Sequence, residues 1–156
     1  MKRAVQKIED ALVKKMKRKR EHLVGIVVVS HSNRLAEELI NFAKILQQEE
    51  FKLENGGNLK IGAYGTTVDT VTEAIRKADE GKGVLVFADM GSSVFNAVKA
   101  VEKIGGEIDV EIADAPLVEG LISAAAANYG NMSLKDLKEI AEGSRSFIKL
   151  KNRRKV

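Results

Sequence analysis

Three features of the sequence predict an α/β fold, doubly wound, with a mainly parallel sheet of four to five strands and helices on both faces. Two segments, LVGIVVVS (23–30) and GVLVFA (83–88), are nearly continuous apolar runs rich in β-branched residues, the pattern of strands covered on both faces. The stretches between predicted strands carry apolar residues at helical spacing, as in RLAEELINFAKILQQ (34–48). Strand and helix signals also alternate along the chain, as parallel connections require.

Taken in order, residues 1–21 place Val5, Ile8, Leu12 and Met16 on one helical stripe beside a basic block running from Lys14 to Arg20. They are read as an amphipathic basic extension, a solvated helix that packs weakly on the domain or on a dimer mate; docking on an anionic membrane surface or partner is the alternative. The main domain is expected over 22–148, with a basic tail at 149–156. Its strands are predicted at 23–30, 59–64 (LKIGAY), 83–88 and 108–113 (IDVEIA). Helices are predicted over 34–48, 68–78 and 93–104, the last stopped by Gly105-Gly106. A helix then follows Pro116, the only proline, which suits a first helical turn. Ser133 and Asp136 have the spacing of a capping arrangement for a final helix.

Charge is segregated along the chain. Residues 1–21 hold nine Lys/Arg against three acids, and residues 149–156 hold five against none, so the central region carries twelve basic and nineteen acidic side chains. A net charge of +4 therefore covers an acidic domain with basic ends. Aromatic residues are 4% of the chain, too few for the stacking surface of a nucleic-acid module, and none is expected to be bound. The absence of Cys removes thiol catalysis and Cys-ligated zinc, and fits a reducing compartment. Two histidines nine positions apart make no metal site. Walker GxxxxGK[ST] and hydrolase GxSxG motifs are both missing. With no apolar segment of membrane-spanning or secretory type, the sequence predicts a cytoplasmic protein.

In a fold of this class, chemistry collects outside the carboxyl ends of the strands. This chain places His31-Ser32-Asn33 after the first strand, Gly65-Thr66-Thr67 after the second and Asp89-Met90-Gly91-Ser92-Ser93 after the third. Asp114-Ala115-Pro116 follows the fourth. The loops are small, rich in hydroxyls and followed by helices, and so suit a phosphoryl group. His31 is the group among them able to act as a nucleophile near neutral pH and to carry phosphoryl in a labile bond. That task needs one ring nitrogen free and the other held by an acceptor. Asp89 is the first candidate acceptor and Asp114 the second; a capping or purely hydrogen-bonding role for His31 is the alternative. His22 is expected at the surface.

Four segments in order, GIVVVSHSNRLAEEL, GTTVDTVTEAI, GVLVFADMGSSVFNA and ADAPLVEGLISAAA, resemble the phosphotransferase subunit of the phosphoenolpyruvate-dependent dihydroxyacetone kinases. That family is similar to the mannose-type enzyme IIA domains of the sugar phosphotransferase system, and the resemblance runs from about residue 23 to about residue 145. It implies that His31 accepts a phosphoryl group from the histidine phosphocarrier protein as a covalent phosphohistidine, with Asp89 beside it. It makes Thr66, Thr67, Gly91, Ser92 and Ser93 the phosphoryl-binding loops, which Ser32 joins by its position next to His31. It further implies transfer to ADP on the separate nucleotide-binding subunit of the kinase, a homodimer, and no metal or other cofactor on this chain. The loops read GTTVD and DMGSS, where the family more often has serine at Thr67 and a leucine and an alanine in the DMGSS stretch. A mannose-type enzyme IIA serving a sugar transporter is the alternative acceptor pathway. A non-catalytic regulatory binding module is the alternative from another class.

Overall fold

A computed structural model of the chain describes residues 2–18, 22–57 and 64–150. It begins with helix α1 (Lys2–Arg18), then runs β1 (Gly25–Val29), α2 (Asn33–Ile45), β2 (Leu53–Asn55), α3 (Val68–Ala78), β3 (Val84–Ala88), α4 (Ser92–Ile104), β4 (Val110–Ile112), α5 (Leu117–Ala127) and α6 (Leu134–Gly143). The four strands form one all-parallel sheet in the order β2-β1-β3-β4. The chain leaves β1 toward β2 on one side and returns through α3 to β3 on the other. The strand order therefore reverses between β1 and β3, and a crevice opens there at the carboxyl ends.

The apolar runs read from the sequence become the two central strands. All five residues of β1 are buried, as are Val84, Leu85, Val86 and Phe87 of β3. Their alternation divides the core in two. Ile26, Val28, Leu85 and Phe87 pack with α2, α5 and α6 on one face, whereas Val27, Val29, Val84 and Val86 pack with α3 and α4 on the other. Each such side chain contributes roughly 1.5–3 kcal/mol on full burial, so both faces lock the register Val29↔Ala88 that brings the two strand ends level.

The sheet is completed beside β1 by Leu53–Asn55, with Ile26 opposite Leu53, a segment in which no strand is expected. Residues 59–63 of the strand expected at 59–64 lie outside the described residues, and Tyr64 makes an isolated antiparallel bridge to Ser32. A three-residue edge strand reading Leu-Glu-Asn has too little length or alternation to register as a strand. Among the described residues the expected fifth strand does not occur.

The expected signals at Gly105 and Ser133 cap their helices, and Ser32 adds a cap that was not expected. Ser32 and Ser133 cap α2 and α6, accepting from the amides of Leu35 and Asp136. Gly105 ends α4 in the left-handed conformation at φ 62°. Pro116 occupies the N-cap position of α5. Helix α1 has Val5, Ile8, Leu12 and Val13 exposed, and among the described residues it packs against no other element. No helix of the described residues is long and apolar enough to cross a membrane.

One close approach fixes the base of β1. A Cβ on Gly25 would stand 2.1 Å from the carbonyl oxygen of Ala78, the last residue of α3. Gly25→Ala is expected to cost about 3 kcal/mol through this backbone clash, read as a lower denaturant midpoint with an unchanged slope. A midpoint equal to that of the parent chain would refute the close packing of α3 on β1.

Candidate active site

His31 and Asp89 come from the ends of β1 and β3, the two strands that flank the crevice. The sheet's hydrogen bonding continues one step past β3, with the Asp89 amide donating to the Val29 carbonyl at 3.0 Å. That step sets the Asp89 carboxylate under the turn that carries His31. The His31 backbone N–H donates to Oδ2 of Asp89 at 2.8 Å, and His31 Nδ1 lies 3.0 Å from Oδ1. One carboxylate thus holds both the main chain and the ring of the same residue.

Further donors surround it. The buried Ser30 hydroxyl donates to Oδ2 at 2.9 Å, and the Met90 N–H donates to Oδ1 at 2.7 Å. Burial alone would raise the Asp89 pKa, but the His31 N–H, the Ser93 hydroxyl, the Met90 N–H and the Ser30 hydroxyl together outweigh it and hold the carboxyl at about 2, below its ordinary 3.8. Asp89 is ionised throughout the neutral range. An ionised carboxylate only accepts, so the Nδ1 contact requires a proton on Nδ1, which leaves Nε2 as the ring's lone-pair nitrogen in the neutral state.

Nε2 faces the start of α4. The Ser92 hydroxyl stands 2.9 Å from it, and the buried Ser93 hydroxyl stands 3.1 Å from Nδ1. The histidine side chain is 39% exposed while Asp89 is only 12% exposed, so the orienting carboxylate is shielded and the reactive nitrogen is accessible. Helices α2 and α4 both begin beside this residue, and neither has an acidic side chain in its first turn. Their N-terminal partial charges are left to act on an anion at Nε2.

The remaining candidates separate by role. Ser32 caps α2 through its hydroxyl. Gly91 precedes α4 at φ 52°, a conformation that lets the chain turn from Met90 into the helix. Gly65 donates its N–H to the His31 carbonyl at 2.8 Å, which joins the 65–67 loop to the site. Thr66 is gripped by Asn96 of α4, whose amide donates to the Thr66 hydroxyl at 2.7 Å and to its carbonyl at 3.0 Å. The Thr67 hydroxyl caps α3. Asp114 is not the acceptor for His31: its carboxylate is exposed and paired with Arg145. His22 is exposed, as expected.

Ser30 and Asn96 carry contacts that motif reading passed over. Ser30 could have been found as a hydroxyl continuing the buried two-residue period of Ile26 and Val28. Asn96 offers no such signal, being one polar residue on an amphipathic helix. Around the crevice Tyr64, Met90 and Phe95 are exposed, an apolar rim of the kind that marks a contact surface. Among the described residues no cluster of three or more His, Cys, Asp or Glu is placed to share a metal ion.

Fold and site together define a parallel α/β domain that presents a carboxylate-held histidine at the reversal of its strand order. Residues 25–141 match the model of the EIIA-man family, described as the PTS system fructose IIA component, and the chain belongs to that family. It is 33% identical over 102 residues to the phosphoryl donor subunit DhaM of PEP-dependent dihydroxyacetone kinase 1 from Listeria innocua, covering 65% of this chain and 79% of that protein. The corresponding subunit from Providencia stuartii is 29% identical over 120 residues, 74% of this chain, but the chain spans only 25% of its length. Among solved structures, the phosphotransferase system component EIIA from Streptococcus agalactiae superposes with a TM-score of 0.57 at 18% identity, covering 78% of this chain and 91% of that one. The likeness to that structure is one of fold.

Asp89 also makes a pH-dependent contribution to stability. Its folded-state pKa, about 2, lies below the ordinary 3.8, so the stabilisation is present above about pH 4 and is lost as pH falls toward 2, about 2 kcal/mol in all. Denaturation at stepped pH is expected to show this loss in the parent chain and a flatter profile in Asp89→Asn. Parallel profiles would refute the depressed ionisation.

Proposed function

We propose that the chain is a phosphohistidine relay, taking a phosphoryl group from a histidine phosphocarrier protein onto Nε2 of His31 and passing it to ADP held on the nucleotide-binding subunit of a dihydroxyacetone kinase. The observation that carries this reading is the division of labour on the ring, with Nδ1 against a shielded carboxylate and Nε2 accessible beside Ser92. The family and the named relatives agree with it.

In the first transfer the Nε2 lone pair attacks the phosphorus in line, the new N–P bond forms, and the bond to the carrier's nitrogen breaks with its electron pair returning to the carrier's ring. The His31 ring keeps its Nδ1 proton and becomes cationic, a charge that Asp89 offsets at 3.0 Å. Ser92 swings from accompanying Nε2 to donating to a phosphoryl oxygen, and the starts of α2 and α4 stabilise the spread negative charge. In the second transfer a terminal phosphate oxygen of ADP attacks the phosphorus and the N–P electron pair returns to Nε2. No proton has to move on Nδ1 in either direction. The phosphohistidine is the only covalent intermediate on this chain, and neither step calls on a metal held by its residues.

Both partners must reach the same nitrogen in turn, and the exposed Tyr64, Met90 and Phe95 rim supplies a surface for each. The family resemblance adds a homodimer. On this reading the chain works in the cytoplasm with soluble partners. Helix α1 and the residues beyond 148 lie outside the family match and are read as a basic extension and a basic tail flanking the relay domain at 22–148. The family description as a fructose IIA component favours, as second reading, a sugar-transport acceptor for the same phosphohistidine.

Incubation with phosphoenolpyruvate, enzyme I and the histidine phosphocarrier is expected to add one acid-labile phosphoryl group, seen by intact mass, and none to His31→Ala. Ser92→Ala is expected to slow labelling roughly tenfold while leaving its extent unchanged. Discharge by kinase nucleotide-binding subunit plus ADP supports the first acceptor; discharge only by a sugar-specific enzyme IIB supports the second. An unlabelled parent chain with a competent carrier sinks the relay.

A further inference from the structure

Ser30 is fully buried, and it ends the β1 run of Val27-Val28-Val29 with a hydroxyl. A buried hydroxyl left without partners is costly. This one has two. The Ser32 N–H donates to Ser30 Oγ at 3.1 Å, and Ser30 Oγ stands 2.9 Å from Oδ2 of Asp89. Directions here are forced. A backbone N–H can only donate and an ionised carboxylate can only accept, so the single hydroxyl proton goes to Asp89.

The torsion that swings an aspartate carboxylate about its Cβ–Cγ bond is broad and weakly preferred. In this site it is set from outside. Oδ2 receives the Ser30 hydroxyl and the His31 main-chain N–H, which turns Oδ1 toward Nδ1 of the His31 ring. The Ser32 amide that Ser30 accepts from belongs to the residue capping α2. One hydroxyl therefore couples the carboxylate's rotation to the turn that presents the histidine.

We infer that Ser30 is a positioning residue, which locks the Asp89 carboxylate and thereby fixes the proton of neutral His31 on Nδ1, leaving Nε2 open to phosphorus. Its catalytic consequence rests on the relay reading above, but its structural consequence does not. Ser30 touches no reacting atom and acts through Asp89. Removing its hydroxyl loosens the carboxylate, which keeps the His31 and Met90 N–H donors, and strips the Ser32 N–H of its acceptor, so the ring samples the opposite tautomer more often.

The test is nitrogen-15 NMR of the His31 side chain in the full, unphosphorylated chain, at a pH where the ring is neutral. The parent is expected to be predominantly Nδ1-protonated. Ser30→Ala is expected to lower the Nδ1-H to Nε2-H ratio severalfold, and Ser30→Thr, which keeps the hydroxyl, to restore most of it. In the carrier assay Ser30→Ala should label roughly tenfold more slowly at saturating carrier, the scale of one hydrogen bond to a charged group, with KM for the carrier unchanged. In an Asp89→Asn background the same substitution should add much less than its loss in the parent chain, because its main route is through that carboxylate.

An unchanged tautomer ratio in a folded Ser30→Ala chain would overturn the inference, even if its melting temperature fell, since that would leave Ser30 only a packing role. Should Ser30→Ala not fold, Ser30→Cys, which keeps the volume and weakens the donor, takes its place with the same expected shift and the same refuting outcome. A tautomer shift in a chain the carrier cannot label would uphold the role of Ser30 and refute the relay instead.

Discussion

The contact between Asp89 and His31 is the constraint on which the rest of this structure depends. A carboxylate whose donors include the Ser30 hydroxyl and both the main chain and the ring of His31 cannot be satisfied unless β1 and β3 end at the same height. That alignment follows from the Val29↔Ala88 register, which follows from two apolar faces that would both be misplaced by a slip of one residue. The core and the site are thus one specification. Gly25, where a Cβ would stand only 2.1 Å from the Ala78 carbonyl oxygen, secures the other end of the same strand.

Polar burial near the crevice is costly, and the site offsets it by complete pairing. Asp89 is desolvated, yet its donors keep it charged, and Ser93 and Ser30 are both buried with hydroxyl partners. The helices add charge of the opposite sign without adding side chains, because α2 and α4 start beside His31 with no acid in their first turns. Such a site needs no reorganisation when negative charge arrives. Preorganised donors are worth more than mobile ones for this reason.

Much of this was legible in the sequence for physical reasons. Strands buried on both faces must be apolar without alternation, so β1 and β3 announced themselves, and the residues one step beyond them were then placed by topology alone. Helix caps at Gly105 and Ser133 are local chemistry and were read locally. The strand Leu53–Asn55 escaped because three edge residues carry no period. Asp114 was a fair candidate by position, but an exposed carboxylate finds the nearest cation, here Arg145. Thr67 was read as phosphoryl-binding, and in the structure its hydroxyl also caps α3 by accepting from the Thr70 N–H, a second task that residue type alone does not reveal. Ser30 stood in plain sight beside His31, marked as buried only by the two-residue period of Ile26 and Val28.

The exposure of the histidine carries a further consequence. Nothing among the described residues folds over the ring, which is 39% exposed. A phosphoryl group on Nε2 would therefore sit in contact with bulk water, and its survival would be a race between hydrolysis and collision with the next partner. Economy in such a design comes from partner concentration, not from enclosure. On the relay reading, a cell using this chain would waste little phosphoenolpyruvate only while the acceptor is abundant, and the open crevice would act as a timer on the stored group-transfer potential.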